Sequence, residues 1–190
     1  MRRAPEEARE NILAAAEGLL VEEGPLALKL TEVAAAAGVA NASVLHHFGS
    51  IDGVHAALME RMVARLVADV MAVADQESGA EDKTEAIVAA LFDVFETRGA
   101  ARLAAWLELS GEWRRLTSVR EAVQTVVAKR VALGGLDARQ AEALVMVSVT
   151  LAMGAGLFGA SLAQLIGRDP KAARAAAAEA LRIYVASHRD

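Results

Sequence analysis

The 190 residues carry 20 lysines and arginines against 25 aspartates and glutamates, a formal net charge of −5, and no cysteine. The missing thiols exclude a disulfide framework and any thiolate metal site. The length allows one domain, or a small head on a larger body with a real buried core.

Alanine, the best helix former, fills 44 positions, only three prolines occur, and no alternating β-branched pattern suggests a sheet. The fold class is therefore all-α. The N-terminus is polar and carries no signal-like apolar stretch, so a cytoplasmic protein is expected.

Taken in order, the pattern predicts nine helices. The first runs from about Pro5 to Glu23, with Ile12, Leu13, Ala16, Leu19 and Leu20 on one face, and Gly24-Pro25 ends it. Short helices follow over Leu30–Ala37 and Asn41–Phe48. Ser50 reads as the N-cap of a long fourth helix carrying Leu58, Met59, Met62, Val63, Leu66, Val70 and Val73.

A polar break at Gln76–Asp82 precedes a fifth helix, about Lys83–Thr97, that Gly99 terminates. A sixth holds Leu103, Trp106 and Leu107. After a break near Gly111–Thr117, Ser118 and Glu121 read as a capping box opening the seventh, which runs to about Leu133. Gly134-Gly135 is a turn, and Asp137 with Gln140 makes a second capping signature for the eighth. Asp169-Pro170, an N-cap followed by proline at the first helical position, opens the ninth, to about Ser187.

Residues 31–48 are the most informative stretch. A short apolar-faced helix stops at Gly38, a tight turn follows, and a second short helix ends in His46-His47-Phe48. This is a helix-turn-helix, whose second helix is of the kind that enters a DNA major groove. Gly38 suits the positive φ of a sharp helix end. Val33, Val44 and Phe48 are expected to form the small core that sets the crossing angle.

Ile12 through Glu23-Gly24, Val33-Ala34, Ala37-Gly38-Val39 and His46-His47-Phe48 with Ser50 and Asp52 resemble the N-terminal domain of the TetR family of transcriptional regulators, over about residues 10–58. The resemblance implies a helix-turn-helix DNA-binding domain over residues 1–50 and a helical ligand-binding and dimerisation domain over 51–190. It also implies a homodimeric repressor, released when a small molecule binds the body.

The candidate DNA contacts are Arg2, Arg3, Lys29, Thr31, Asn41, Ala42, Ser43, His46, His47 and Ser50. Asn41, Ala42 and Ser43 occupy the family's base-facing start of the recognition helix, where Asn suits adenine and the Ala methyl a thymine methyl. His47 and the helix start at Ser50 suit phosphates. The tyrosine and lysine with which the family usually meets phosphates fall at Leu45 and Ile51. Its usual Ser/Thr caps fall at Lys29 and Ala40, leaving capping of the two short helices to Thr31 and Asn41. Residues 1–50 hold four basic and seven acidic side chains, a net −3. Since cations displacing counterions supply most nonspecific affinity, a shallow salt dependence is expected.

From Leu144 to Ile166 the chain runs 23 residues without a charge. That length matches a membrane span, but the run is rich in Ala and Gly and its flanks lack interfacial aromatics. A helix apolar on all sides is otherwise one buried on all sides. Homodimerisation is accordingly expected through helices near 137–166 and 170–187, with no membrane partner.

The few large side chains gather in the body: Met59, Met62, Phe92, Phe95, Trp106, Trp113, Met146, Met153 and Phe158, with Thr150 and Ser148 as polar anchors. Each singly is ordinary core; together they suggest a cavity for a mostly apolar effector. No HExxH, phosphate-cradling glycine loop or Gly-x-Ser-x-Gly occurs, so neither enzyme activity, cofactor nor metal is expected. The partners anticipated are a palindromic double-stranded DNA operator, a small-molecule effector and a second copy of the chain. The alternative is a soluble dimeric ligand-binding or scaffolding protein whose head no longer reads DNA.

Overall fold

The computed structural model describes residues 5–77, 79–132 and 136–187, and those residues contain helices and turns but no strand. The helices are α1 (Pro5–Glu22), α2 (Leu30–Ala37), α3 (Asn41–Phe48), α4 (Ile51–Ala74), α5 (Ala80–Phe92), α6 (Ala100–Leu109), α7 (Thr117–Ala132), α8 (Ala138–Leu165) and α9 (Ala172–Ala186). Two π-type stretches interrupt the α register: Asp93–Thr97, which continues α5, and Ala155–Gly159 within α8.

Local chemistry accounts for most boundaries. Gly38 ends α2 at φ 66°, ψ 36°, the left-handed region that glycine enters without penalty. Ser50 accepts the Gly53 amide at 3.1 Å and caps α4. Asp137 and Gln140 close the reciprocal capping box that opens α8, at 2.8 and 2.9 Å.

Other expected caps are absent. α2 and α3 begin after Lys29 and Ala40 with no side-chain cap; Thr31 instead meets Glu32. α7 already runs from Thr117, where the Arg120 amide reaches the Leu116 carbonyl, so Ser118 lies inside the first turn instead of capping it. α9 becomes regular at Ala172, because Asp169 spends its carboxylate on the Lys171 amide at 2.8 Å and holds Pro170 in a turn. Arg2, Arg3, Leu133 and the Gly134-Gly135 turn lie outside the described residues.

α1, α2 and α3 form a head whose core is Ile12, Leu13, Ala16, Leu20, Val33, Ala34 and Val44. α4 begins against the head and continues into the body, where it packs on α5, α6 and α7. Leu58, Met62, Phe92, Leu103 and Leu107 fill the body core. α8 and α9 pack on each other at the far side of that core.

Candidate nucleic-acid interface

The recognition helix is held from behind and bare in front. Val44 on α3 is fully buried beside Val33, and Phe48 packs against the same core. Asn41, Ala42, Leu45 and His46 are exposed, while Ser43 and His47 are half-buried at the flanks. A helix with four exposed positions on one side and its apolar positions sunk into α1 and α2 is presented as major-groove readers are. Lys29 and Thr31, both exposed, stand at the start of α2. The Ser50 oxygen is engaged by the Gly53 amide, so only its hydroxyl proton is free for a phosphate.

Two residues that sequence reasoning did not single out fasten this unit. Arg9 on α1 donates to the His47 carbonyl at 3.2 Å, and its guanidinium lies 4.4 Å from the Phe48 ring centroid. A cation at a helix C-terminus meets unsatisfied carbonyls and the negative end of the helix dipole. Asn11, two residues on, donates its neutral amide to the Ala37 carbonyl at 2.7 Å and so satisfies an end carbonyl of α2. The available signal was a pair of polar side chains beside the apolar stripe of α1.

Behind the head lies a partly buried polar junction with the body. The Glu17 carboxylate on α1 receives Arg61 of α4 and Arg98 from the α5–α6 corner, with Arg65 at 3.5 Å. Arg61 also donates to the Leu13 carbonyl at 2.7 Å, and Arg102 to the Val21 carbonyl at 3.0 Å.

His55, near the start of α4, is buried between head and body, 3% exposed. Its Nε2 donates to the Leu28 carbonyl at 3.1 Å, and its ring stands edge-on to Trp106 at 4.2 Å. Burial lowers its pKa from the ordinary histidine value. The Leu28 bond and the charges of Asp52 and Glu112 only partly offset that.

In the body the structure brings together some of the expected effector residues and separates others. Met59, Met62, Phe92 and Phe95 are buried together, with Trp106 and Met153 packed against them. Met146, 64% exposed, and Thr150 lie on the outer side of α8, and Trp113 is 43% exposed, so these three do not join that cluster. From Leu144 onward α8 carries no charge on any side, which hides its inner face from a sequence reading.

A void of about 10 Å³ lies between Arg130, Leu136, Gln140, Leu144 and Tyr184, and an open groove of about 290 Å³ runs between α1 and α4 beside Glu17 and Arg61. Neither is walled by the expected effector residues.

α8 is long and apolar enough to cross a membrane, with mean hydropathy 2.0. One side of it nevertheless carries the buried Ala141, Ala152, Gly159 and Ala163, and it packs against α7 and α9. Met146, Leu157, Phe158, Leu162 and Leu165 of α8, with Ile166 and Ile183, are exposed.

Residues 12–58 match the family model described as bacterial regulatory proteins, tetR family. No curated protein is similar enough in sequence to match. Among solved structures, a transcriptional regulator from Rhodococcus sp. RHA1 superposes with a TM-score of 0.70 at 21% identity, covering 96% of this chain and 98% of its own. The fatty acid degradation regulator FadR from Bacillus halodurans gives 0.65 at 18%, covering 95% and 96%. A TetR variant from Acinetobacter baumannii AYE in complex with minocycline gives 0.65 at 17%, covering 93% of both chains. At these identities the likeness establishes the fold.

Proposed function

Starting from membership of the TetR family of transcriptional regulators, which residues 12–58 carry and the whole-chain fold supports, we propose that two copies of this chain form a repressor that a small, mostly apolar molecule releases from a palindromic operator. The observation that carries the reading is the outward side of α3: Asn41 and Ala42 are exposed while Val44 behind them has no exposure at all. Those side chains are free to meet base edges, while Arg9 fastens the C-terminal end of α3 and Asn11 that of α2 behind it.

Pairing is supported by the outer side of α8 and α9. Seven large apolar side chains there stand between 47% and 84% exposed, a patch that a soluble monomer rarely leaves bare. A twofold mate covering it forms a four-helix surface and sets two α3 helices for half-sites about one DNA turn, roughly 34 Å, apart.

The burial of Met59, Met62, Phe92 and Phe95 in the body core supports an effector that acts by selecting an expanded state. Such a ligand shifts the operator equilibrium only through its different affinity for the two arrangements. A fatty acid degradation regulator and a TetR in complex with minocycline share this fold, which favours screening fatty acids and minocycline-like molecules first.

The test is selection of duplexes from a random pool by the purified protein. Enrichment of a palindrome is the expected result. Recovery of sequences no different from the input pool overturns the reading and leaves a dimeric binding protein whose head does not read DNA.

A further inference from the structure

Six consecutive residues touch three separate parts of the molecule. The π-type stretch Asp93–Thr97 at the end of α5 closes with the Arg98 amide on the Asp93 carbonyl at 3.0 Å, a bond spanning five residues instead of four. Facing it is the second π-type stretch, Ala155–Gly159 of α8.

The approach between the two is as close as glycine allows. A Cβ on Gly156 would meet the Phe95 carbonyl oxygen at 2.7 Å and the Ala101 Cβ at 2.9 Å. The next side chain, Glu96, pairs with Arg174 of α9 at 3.3 Å. Two residues later Arg98 clamps Glu17 of α1, its Nε at 2.8 Å. Gly99 follows, close enough that a Cβ there would stand 3.2 Å from Leu20 of α1.

We infer that the corner Asp93–Arg98 is a relay tying the two outer helices of the body to the DNA-binding head, with Arg98 a positioning residue for DNA binding that acts through Glu17. Phe95 reads α8, Glu96 reads α9 and Arg98 holds α1, so movement of either outer helix is delivered to the back of the head without passing through α4. A π turn is suited to the task, because it converts to α by a one-residue register change. That change turns the following side chains by about 100° and advances them about 1.5 Å. Arg98 follows the turn directly, and a rotation of that size takes its guanidinium off Glu17.

Hydrogen exchange of the full-length protein tests the relay without a ligand or an operator. Gly156→Ala forces the facing backbones apart and is expected to speed exchange of the Gly18–Glu22 amides about tenfold, leaving those of Leu66–Val70 in α4 unchanged. In an Arg98→Met background the same substitution is expected to change Gly18–Glu22 by less than twofold. Equal acceleration in both backgrounds, or none in either, overturns the inference.

Should Gly156→Ala fail to fold, Glu96→Gln takes its place in the same cycle, with about threefold acceleration expected when Arg98 is present and none when it is absent. Unchanged exchange with Arg98 present overturns the relay. Operator affinity in the same variants is a second readout. It rests on the DNA-binding reading above, so a protein that selects no operator but shows the exchange coupling refutes that reading and keeps the relay.

Discussion

The carbonyl oxygen of Phe48 occupies the space that a side chain on Gly53 would need: a Cβ there would lie 2.0 Å from it. The last turn of the recognition helix and the first turn of α4 are therefore seated backbone on backbone. Gly53→Ala is expected to cost about 2–4 kcal/mol, in the range of severe overpacking with no flexible neighbour to yield. Urea denaturation measures it, and a loss under about 0.5 kcal/mol would show that the junction relaxes freely.

Arg9 tests how far the head's rigidity depends on one side chain. Arg9→Ala removes a charged hydrogen bond to the His47 carbonyl and the cation over the Phe48 ring. A stability loss of about 1–2 kcal/mol is expected in urea denaturation. Arg9→Lys should recover less than half, because an ammonium lacks the planar fork that serves carbonyl and ring together. Full recovery with lysine means that charge alone matters there.

Much of the head was legible because its signals are local. The bounds of α2 and α3 follow from Gly38, from the spacing of Val33, Val44 and Phe48, and from the Ser50 cap, all within 20 residues. The body resisted for a physical reason. From Leu144 onward α8 carries no charge on any side, so nothing in the sequence distinguishes Met146 and Thr150, which face outward, from Ala152, which is fully buried.

The π-type stretches escaped notice because a one-residue register change leaves the helical pattern intact on either side. Arg98 and Glu17 meet across 81 positions of sequence, a distance over which single-chain patterning carries no information.

Acid should loosen the junction through His55. Its pKa in the folded protein lies below the ordinary value near 6.5, so below that pH the unfolded chain binds the proton more readily. Stability is then full above about pH 6.5 and declines as pH falls toward the lowered folded value, by at most about 1.4 kcal/mol per pH unit from one group. Denaturation curves at intervals from pH 7.5 to 5 should show this slope, and His55→Gln, which keeps a donor for the Leu28 carbonyl, should flatten it. An equal slope in the variant assigns the effect to other groups.

The head's charge predicts an unusual salt profile. Residues 1–50 carry a net −3, and Leu45 and Ile51 offer no polar group where the family usually meets phosphates. Operator affinity measured by fluorescence anisotropy across KCl concentrations should fall with a log–log slope shallower than about −6 for the dimer. A steeper slope implies about six or more neutralised phosphates, which would have to include contacts from Arg2 and Arg3.

Pairing can be broken from the outer side of α8 without touching the head. Phe158 is 54% exposed and Leu162 48%, one helical turn apart, so both stand on the side left bare by α7 and α9. Substituting charge at the centre of an apolar interface costs far more than it does on a monomer surface, since the interface must bury it unpaired. Phe158→Glu with Leu162→Glu should therefore leave the fold of each chain intact by circular dichroism and convert the sedimenting species from dimer to monomer. Operator affinity should then drop at least a hundredfold, because a single α3 helix keeps one half-site and loses the second. An undiminished dimer would place the twofold elsewhere, and with it the spacing on which half-site recognition depends.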